Sequence, residues 1–215
     1  MFRIMLYGPA GVGVQQVAEM APAPVVIQTV EACDCACPCY DVSRNMRLHD
    51  AVGAAIESKD YKTIVINNVS GLERLIFDFE FGRKINPYEQ GYGVGDGRLK
   101  IRFRQVLDKI IDSGKNLIVL ADSAVINMPG VFTTQPVPCM APNANRCLFP
   151  LINDMLEAVV PVVLVENADG RLDRRIILKP RPSVMARMNA SLMPSPEEWM
   201  EFDGRRFFEG LKDAG

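Results

Sequence analysis

The chain has 215 residues, 48% of them apolar and 23% charged, with a net charge of −2. That composition supports one α/β domain over residues 1–215 with a full core, and it excludes a disordered or fibrous chain and a globally basic nucleic-acid binder. No apolar run approaches the ~20 residues that span a bilayer, and the amino terminus reads as a core strand rather than a leader, so a cytoplasmic protein with no membrane partner is expected.

The first sixteen residues, MFRIMLYGPAGVGVQQ, organise the rest. Phe2, Ile4 and Leu6 alternate with Arg3, Met5 and Tyr7 as in a buried strand, and Gly8, Gly11 and Gly13 then give a permissive turn into a helix. The Gly8-x-x-x-x-Gly13 spacing is that of a phosphate loop, in which a lysine and then a hydroxyl residue follow the last glycine. Val14 and Gln15 stand at those two places. The segment Gly8, Pro9, Ala10, Gly11, Val12, Gly13, Val14, Gln15 therefore keeps a backbone that can cradle an anion, without the point charge or the Mg²⁺-ligating hydroxyl. A plain strand–turn–helix uses the same residues and is the alternative.

Further along, residues 14–20 predict a short helix, 25–27 a strand and 31–45 a cysteine-rich loop. Leu48, Val52, Ala55 and Ile56 recur at helical spacing, and TIVI at 63–66 is a buried strand that ends in Asn67 and Asn68. Ser70 to Glu73 fits a capping box for the next helix. Residues 82–97 read as a glycine-rich loop, followed by an amphipathic helix through Leu99, Phe103, Val106, Leu107 and Ile110. A strand at 117–120 leads to a long loop over 127–147, which is longer than a passive connection usually is. Residues 148–158 predict a helix and 159–166 a strand, with Pro161 confining its start. Ala168, Asp169 and Gly170 mark a hairpin into 172–178. Ser195, Pro196, Glu197 and Glu198 predict a helix start. The pattern implies a mostly parallel sheet covered by helices on both faces, with a C-terminal antiparallel hairpin. Ligands of such sheets lie at the carboxyl ends of the strands, here residues 8–13, 28–31, Asn67 with Asn68, and Asp122 with Ser123.

Two clusters carry competing readings. Cys33, Cys35, Cys37 and Cys39 alternate along one segment, so four thiolates could face one soft metal. Structural zinc sites use Cys-x₂-Cys pairs, and the single histidine, His49, sits on a predicted helix, so free, oxidation-prone thiols in a reducing compartment are favoured over zinc. Arg98, Lys100, Arg102 and Arg104 cluster at the start of the amphipathic helix, and Arg171, Arg174, Arg175, Lys179, Arg181 and Arg187 enrich the C-terminal third. These could grip single-stranded DNA, but solvated outer faces are the favoured reading, while Tyr88 and Tyr92 could stack bases or equally pin their loop.

LYGPAGVG at the loop, YKTIVINNVSGLERL at the third strand, GYGVGDGRLKIRFRQVLDKI, GKNLIVLADSAV and PRPSVMARMN follow one another in an order that resembles the phage and prophage RecA-like P-loop (AAA-type) ATPases. That family includes single-strand-annealing recombination ATPases. The resemblance implies a RecA-like P-loop NTPase fold, ATP with Mg²⁺ as ligand, single-stranded DNA as partner and homo-oligomerisation. The chain departs from the family at each charged position: Val14 and Gln15 replace lysine and threonine, Asn67 replaces the aspartate ending the Walker B strand, Gln28-Thr29-Val30 stands for Asp-Thr-Glu, and Asp122 stands where a histidine is common. Asp122 and Glu31 are the candidate substitute carboxylates. The expectation is a nucleotide-binding or assembly protein of DNA recombination or replication that does not hydrolyse ATP. The alternatives are a working ATPase with unconventional ligands, and a scaffold that keeps only the fold, by natural decay or by design.

Overall fold

The computed structural model describes residues 1–30, 35–42, 46–81, 94–128, 137–144, 146–181, 183–195 and 197–211. In chain order its elements are β1 (Arg3–Gly8), α1 (Val14–Ala18), β2 (Pro24–Gln28), β3 (Cys39–Asp41), α2 (Leu48–Glu57), β4 (Thr63–Asn67), α3 (Val69–Phe81), α4 (Val94–Asp112), β5 (Asn116–Met128), β6 (Val137–Pro142), α5 (Phe149–Met155), β7 (Ala158–Glu166), β8 (Leu172–Ile177), β9 (Arg187–Met188), β10 (Trp199–Glu201) and α6 (Gly204–Gly210).

The strands form one sheet in the order β10-β8-β7-β1-β5-β4-β2-β3, with β6 paired to β5 and β9 to β7. From β7 to β3 the neighbours run parallel, and β8 and β10 extend the sheet antiparallel. The four aliphatic runs expected to be its centre, β1, β2, β4 and the first half of β5, are adjacent, and residues 4–7, 25–28, 63–67 and 117–121 are buried. Their alternation sorts the core into two layers. Met5, Tyr7, Ile64, Ile66, Leu117 and Val119 pack with α2 to α5, whereas Ile4, Leu6, Val65, Ile118 and Leu120 pack with α1 and α6. A one-residue slip in any strand would exchange the layers, so the hydrophobic pattern pins the register.

Several expectations are corrected, each time because a pairing partner overrides local pattern. Within the expected loop 31–45, Cys39–Asp41 is a parallel edge strand on β2, where it satisfies backbone groups that β2 would otherwise expose. The expected loop 127–147 also holds a strand: β5 runs on to Met128, and Ser123 to Met128 pair antiparallel with β6. Pro138 and Pro142 are tolerated in such a strand, which lies outside the central sheet. The buried Tyr7 hydroxyl lies between the carbonyls of Met140 and Met185, either of which can accept its one proton, and so ties this arm to the core. Pro161 falls inside β7, as the last residue paired with β1 and just before those paired with β8. At the hairpin, Gly170 alone has positive φ, at 78°.

The helix starts differ too. α3 is capped by Asn68, whose Oδ1 accepts from Gly71 N at 2.9 Å, while the Ser70 hydroxyl donates to Asn143 O. Asparagine caps as well as serine, so the helix opens earlier than the Ser70 box suggests. α4 takes in residues 94–97, expected to be loop. After Ser195 the chain forms β10 against β8 instead of a helix, because Met200 is buried there and Trp199 is covered by Arg175 at 3.8 Å. The last helix starts after Asp203, whose Oδ1 accepts from Arg206 N.

Candidate nucleotide-binding site

The carboxyl ends of β1, β4 and β5 open onto a cleft of about 850 Å³ lined by Gly8, Pro9, Ala10, Gly11, Gly13, Val14, Gln15, Gln16, Glu19, Met20, Ala36, Asn67, Asn68, Leu120, Ala121 and Asp122. Parallel strands and short turns bring these distant segments together. The loop residues expected to bind nucleotide are all here except Val12, which is buried in the core below and whose amide donates to Pro9 O at 3.2 Å. Gly11 and Gly13 hold φ of 79° and 96°, which a side chain would strain.

A closed set of neutral amides stands beside the loop. Asn67 Nδ2 donates to Gln15 Oε1 at 2.9 Å and to Gln28 Oε1 at 3.1 Å. Gln15 Nε2 donates to Glu19 Oε1 at 2.7 Å and contacts Cys35 Sγ at 3.6 Å. The Cys35 thiol in turn points to Gln28 Oε1 at 4.0 Å, and Gln28 Nε2 donates to Val30 O. Glu19 also accepts from Ala36 N at 3.3 Å. Both glutamine oxygens already face an amide donor, and Glu19 faces N–H groups. This donor set does not fit Mg²⁺, which wants charged or water oxygens in octahedral array. The loop itself turns tightly, with positive φ at Gly11 and Gly13 and the Val12 amide bonded back to Pro9 O.

Asp122 reaches the cleft but is tethered: its Oδ2 accepts from Asn68 Nδ2 at 3.2 Å, and its backbone oxygen accepts from Asn143 N. The Asn67–Asn68 peptide bond is cis. Glu31, Cys33, Tyr88 and Tyr92 lie outside the described residues. Cys35 and Cys37 pack against the core layer of α1, and Cys39 is exposed on β3. No group of three or more His, Cys, Asp or Glu is arranged to hold a metal among the described residues. Gln28, Glu19 and Cys35 were not foreseen as one network, although the i,i+4 spacing of Gln15 and Glu19 on a helix is a readable signal.

Of the clustered basic residues on α4, Arg102 and Arg104 are held in ion pairs. Arg98, Lys100, Arg102 and Arg104 are all exposed. Arg102 Nε lies 2.5 Å from Glu80 of α3, and its guanidinium covers Phe79. Arg104 pairs with Asp108 at 3.5 Å. In the C-terminal third, Arg171 pairs with Asp169 and Arg181 with Glu198.

Beyond the cleft, Cys147 carries a perturbed thiol. Burial and then the Asp96 carboxylate push it up to about 11, against a pull from Lys100 and with a smaller push from Glu73. Only the thiolate is nucleophilic, so at pH 8 roughly one Cys147 in a thousand is reactive. Native protein treated with iodoacetamide at pH 8 should be alkylated at the exposed Cys39 well before Cys147. The folded state holds this proton more tightly, so its contribution to stability is full below pH 9 and lost as pH rises towards 11. Peptide mapping that finds the two sites equally labelled would contradict this.

A glycine-rich turn between β1 and α1, opening at the carboxyl edge of a parallel sheet beside the ends of β4 and β5, is where an open α/β sheet takes its ligand. The chain belongs to the AAA domain family, whose sequence model matches residues 2–188. Among solved structures it is similar to the RadB recombinase, at 12% identity over 99% of this chain and 90% of that one, with a TM-score of 0.49. It is also similar to the KaiC-like protein PH0186 from Pyrococcus horikoshii OT3, at 12% identity over 81% of this chain and 76% of that one, with a TM-score of 0.46. No curated protein matches it. No helix among the described residues is long and apolar enough to cross a membrane.

Proposed function

We propose that the protein is a nucleotide-binding or assembly member of the AAA domain family that does not hydrolyse ATP and acts in DNA recombination or replication. It works as one domain in the cytoplasm, self-associating and meeting single-stranded DNA, as its resemblance to phage recombination ATPases implies. The observation that carries the loss of hydrolysis is the amide network. Phosphoryl transfer depends on lysine, Mg²⁺ and a carboxylate to stabilise charge on the phosphate oxygens, and here Gln15, Asn67 and Gln28 are satisfied by one another. A bound triphosphate still meets the loop amides but forgoes the lysine contact, which is typically worth ~1.5–3 kcal/mol, so affinity drops about tenfold or more.

Titration with a fluorescent ATP analogue, with Mg²⁺ and then with chelator, tests the reading. Weak binding that Mg²⁺ barely changes, with no phosphate release, is the expected result. Mg²⁺-stimulated tight binding, or turnover, would overturn it and favour the working ATPase, for which Asp122 is the candidate carboxylate, with Glu19 lining the same cleft. Neither binding nor turnover favours a scaffold that keeps only the fold.

A further inference from the structure

The loop has no cation of its own, yet one stands beside it. β8 pairs with the far half of β7, placing Arg174 opposite Leu164. This is beyond Pro161, the last β7 residue paired with β1. The overrun carries Arg174 past the end of β1 to the flank of the glycine-rich turn. Its Nη1 donates to Gln16 Oε1 at 3.0 Å and lies 3.2 Å from where a Cβ on Gly13 would stand. Gln16 and Gly13 both line the cleft. The guanidinium rests over the Phe202 ring, 5.1 Å from its centre.

Its neighbours differ in what holds them. Arg175 lies on Trp199 and donates to Asn167 Oδ1, and Arg171 and Arg181 face carboxylates. Among the described residues Arg174 makes no ion pair, although it lines a shallow pocket together with Asp173 and Glu201, and its hydrogen bond goes to a neutral amide. A guanidinium carries five donors in a planar fork that matches phosphate oxygens, and a bond to an ionised acceptor is roughly twice as strong as one to a neutral amide. Exchange of Gln16 for a phosphate oxygen is therefore favourable, and stacking on Phe202 limits the search of the long side chain. Gly13 keeps the approach open, because a Cβ there would come within 2.9 Å of Phe202 Cζ and 2.8 Å of Gln16 Oε1.

We infer that Arg174 is the cationic half of a polyphosphate site whose other half is the loop of residues 8–13, standing in for the absent loop lysine. The inference rests on the nucleotide-binding reading above and adds a residue to it. The ligand chemistry is a phosphoanhydride, presented either by a nucleoside diphosphate or by inorganic pyrophosphate.

The test is calorimetric titration of the full chain with ADP and, separately, with pyrophosphate, both in chelator, comparing unaltered protein with Arg174→Ala, Arg174→Lys and Arg171→Ala. Arg174→Ala should weaken binding at least tenfold, Arg174→Lys should fall between, since it keeps the charge without the fork, and Arg171→Ala should stay within twofold. Loss of pyrophosphate and ADP together identifies the phosphates as what Arg174 holds. Binding of ADP alone, weakened by Arg174→Ala, supports the site with a nucleoside requirement. Binding by the unaltered protein that Arg174→Ala leaves within twofold overturns the inference and spares the nucleotide reading. Absence of binding at millimolar ligand by the unaltered protein removes both.

Discussion

The triple variant Val14→Lys, Gln15→Thr, Asn67→Asp is expected to bind Mg²⁺–ATP at least about a hundredfold more tightly than the unaltered chain, because it adds two or more charge-assisted contacts of ~1.5–3 kcal/mol each. Each single reversion should change affinity only a few-fold. Asn67 explains the difference. Its side chain is buried, with 9% exposure, and its Nδ2 donates to the oxygens of both Gln15 and Gln28. Asn67→Asp alone turns that donor into a carboxylate oxygen facing two acceptors, and an unsatisfied buried group costs ~1–3 kcal/mol. Gln28 can answer by rotating its amide only by giving up Val30 O. Gln15→Thr removes one of the opposed oxygens and supplies the hydroxyl, and Val14→Lys supplies the counter-charge from a residue that already lines the cleft. The three changes therefore act as a unit and their effects do not add. Turnover by the unaltered protein at the rate of the triple variant would sink this account, as would one reversion that gave the whole gain.

What could be read in advance follows the same division between local and assembled features. β1, β2, β4 and β5 are legible because each buries both faces in the sheet centre and is made of contiguous aliphatic residues. β3, β6 and β10 are three to six residues long and carry cysteine, proline or a lone tryptophan. Their strand character comes from the partner edge, which no local pattern records. The capping residue of α3 was misplaced because Asn68 and Ser70 are both good caps and the sequence does not say which serves. At the site, the glycine spacing, Asn67 and Asp122 are legible since each ends a predicted strand. The Gln15–Asn67–Gln28–Cys35 network is not, because four separate segments build it, and Arg174 reaches the loop only through the overrun of β7 and β8 past β1. Gln15, Gln28 and Asn67 can be read from sequence as lost function, whereas in the fold they hydrogen-bond to one another.

Gly8→Ala is expected to cost about 3 kcal/mol of folding stability and Gly11→Ala only about 1 kcal/mol, although both lie in one loop. The two glycines are needed for different reasons. A Cβ on Gly8 would sit against the Val162 backbone carbonyl and 2.8 Å from Val12 Cγ1. The carbonyl belongs to β7, a strand held by β1 on one side and β8 on the other, so it cannot withdraw without parting the sheet. A Cβ on Gly11 would meet nothing within 4 Å, and its cost is the strain of a φ of 79° for an L side chain. Gly13 combines the two demands, with φ of 96° and crowding by Gln16, Phe202 and Arg174, whose flexible ends can partly yield, so Gly13→Ala should fall between. Urea unfolding of the three variants gives the order directly. The Gly8 change should also weaken pyrophosphate binding, because moving β7 moves β8 and with it Arg174. If Gly11→Ala proves the most destabilising, backbone conformation rather than the close approach of β7 governs this loop, and the packing account of the site fails.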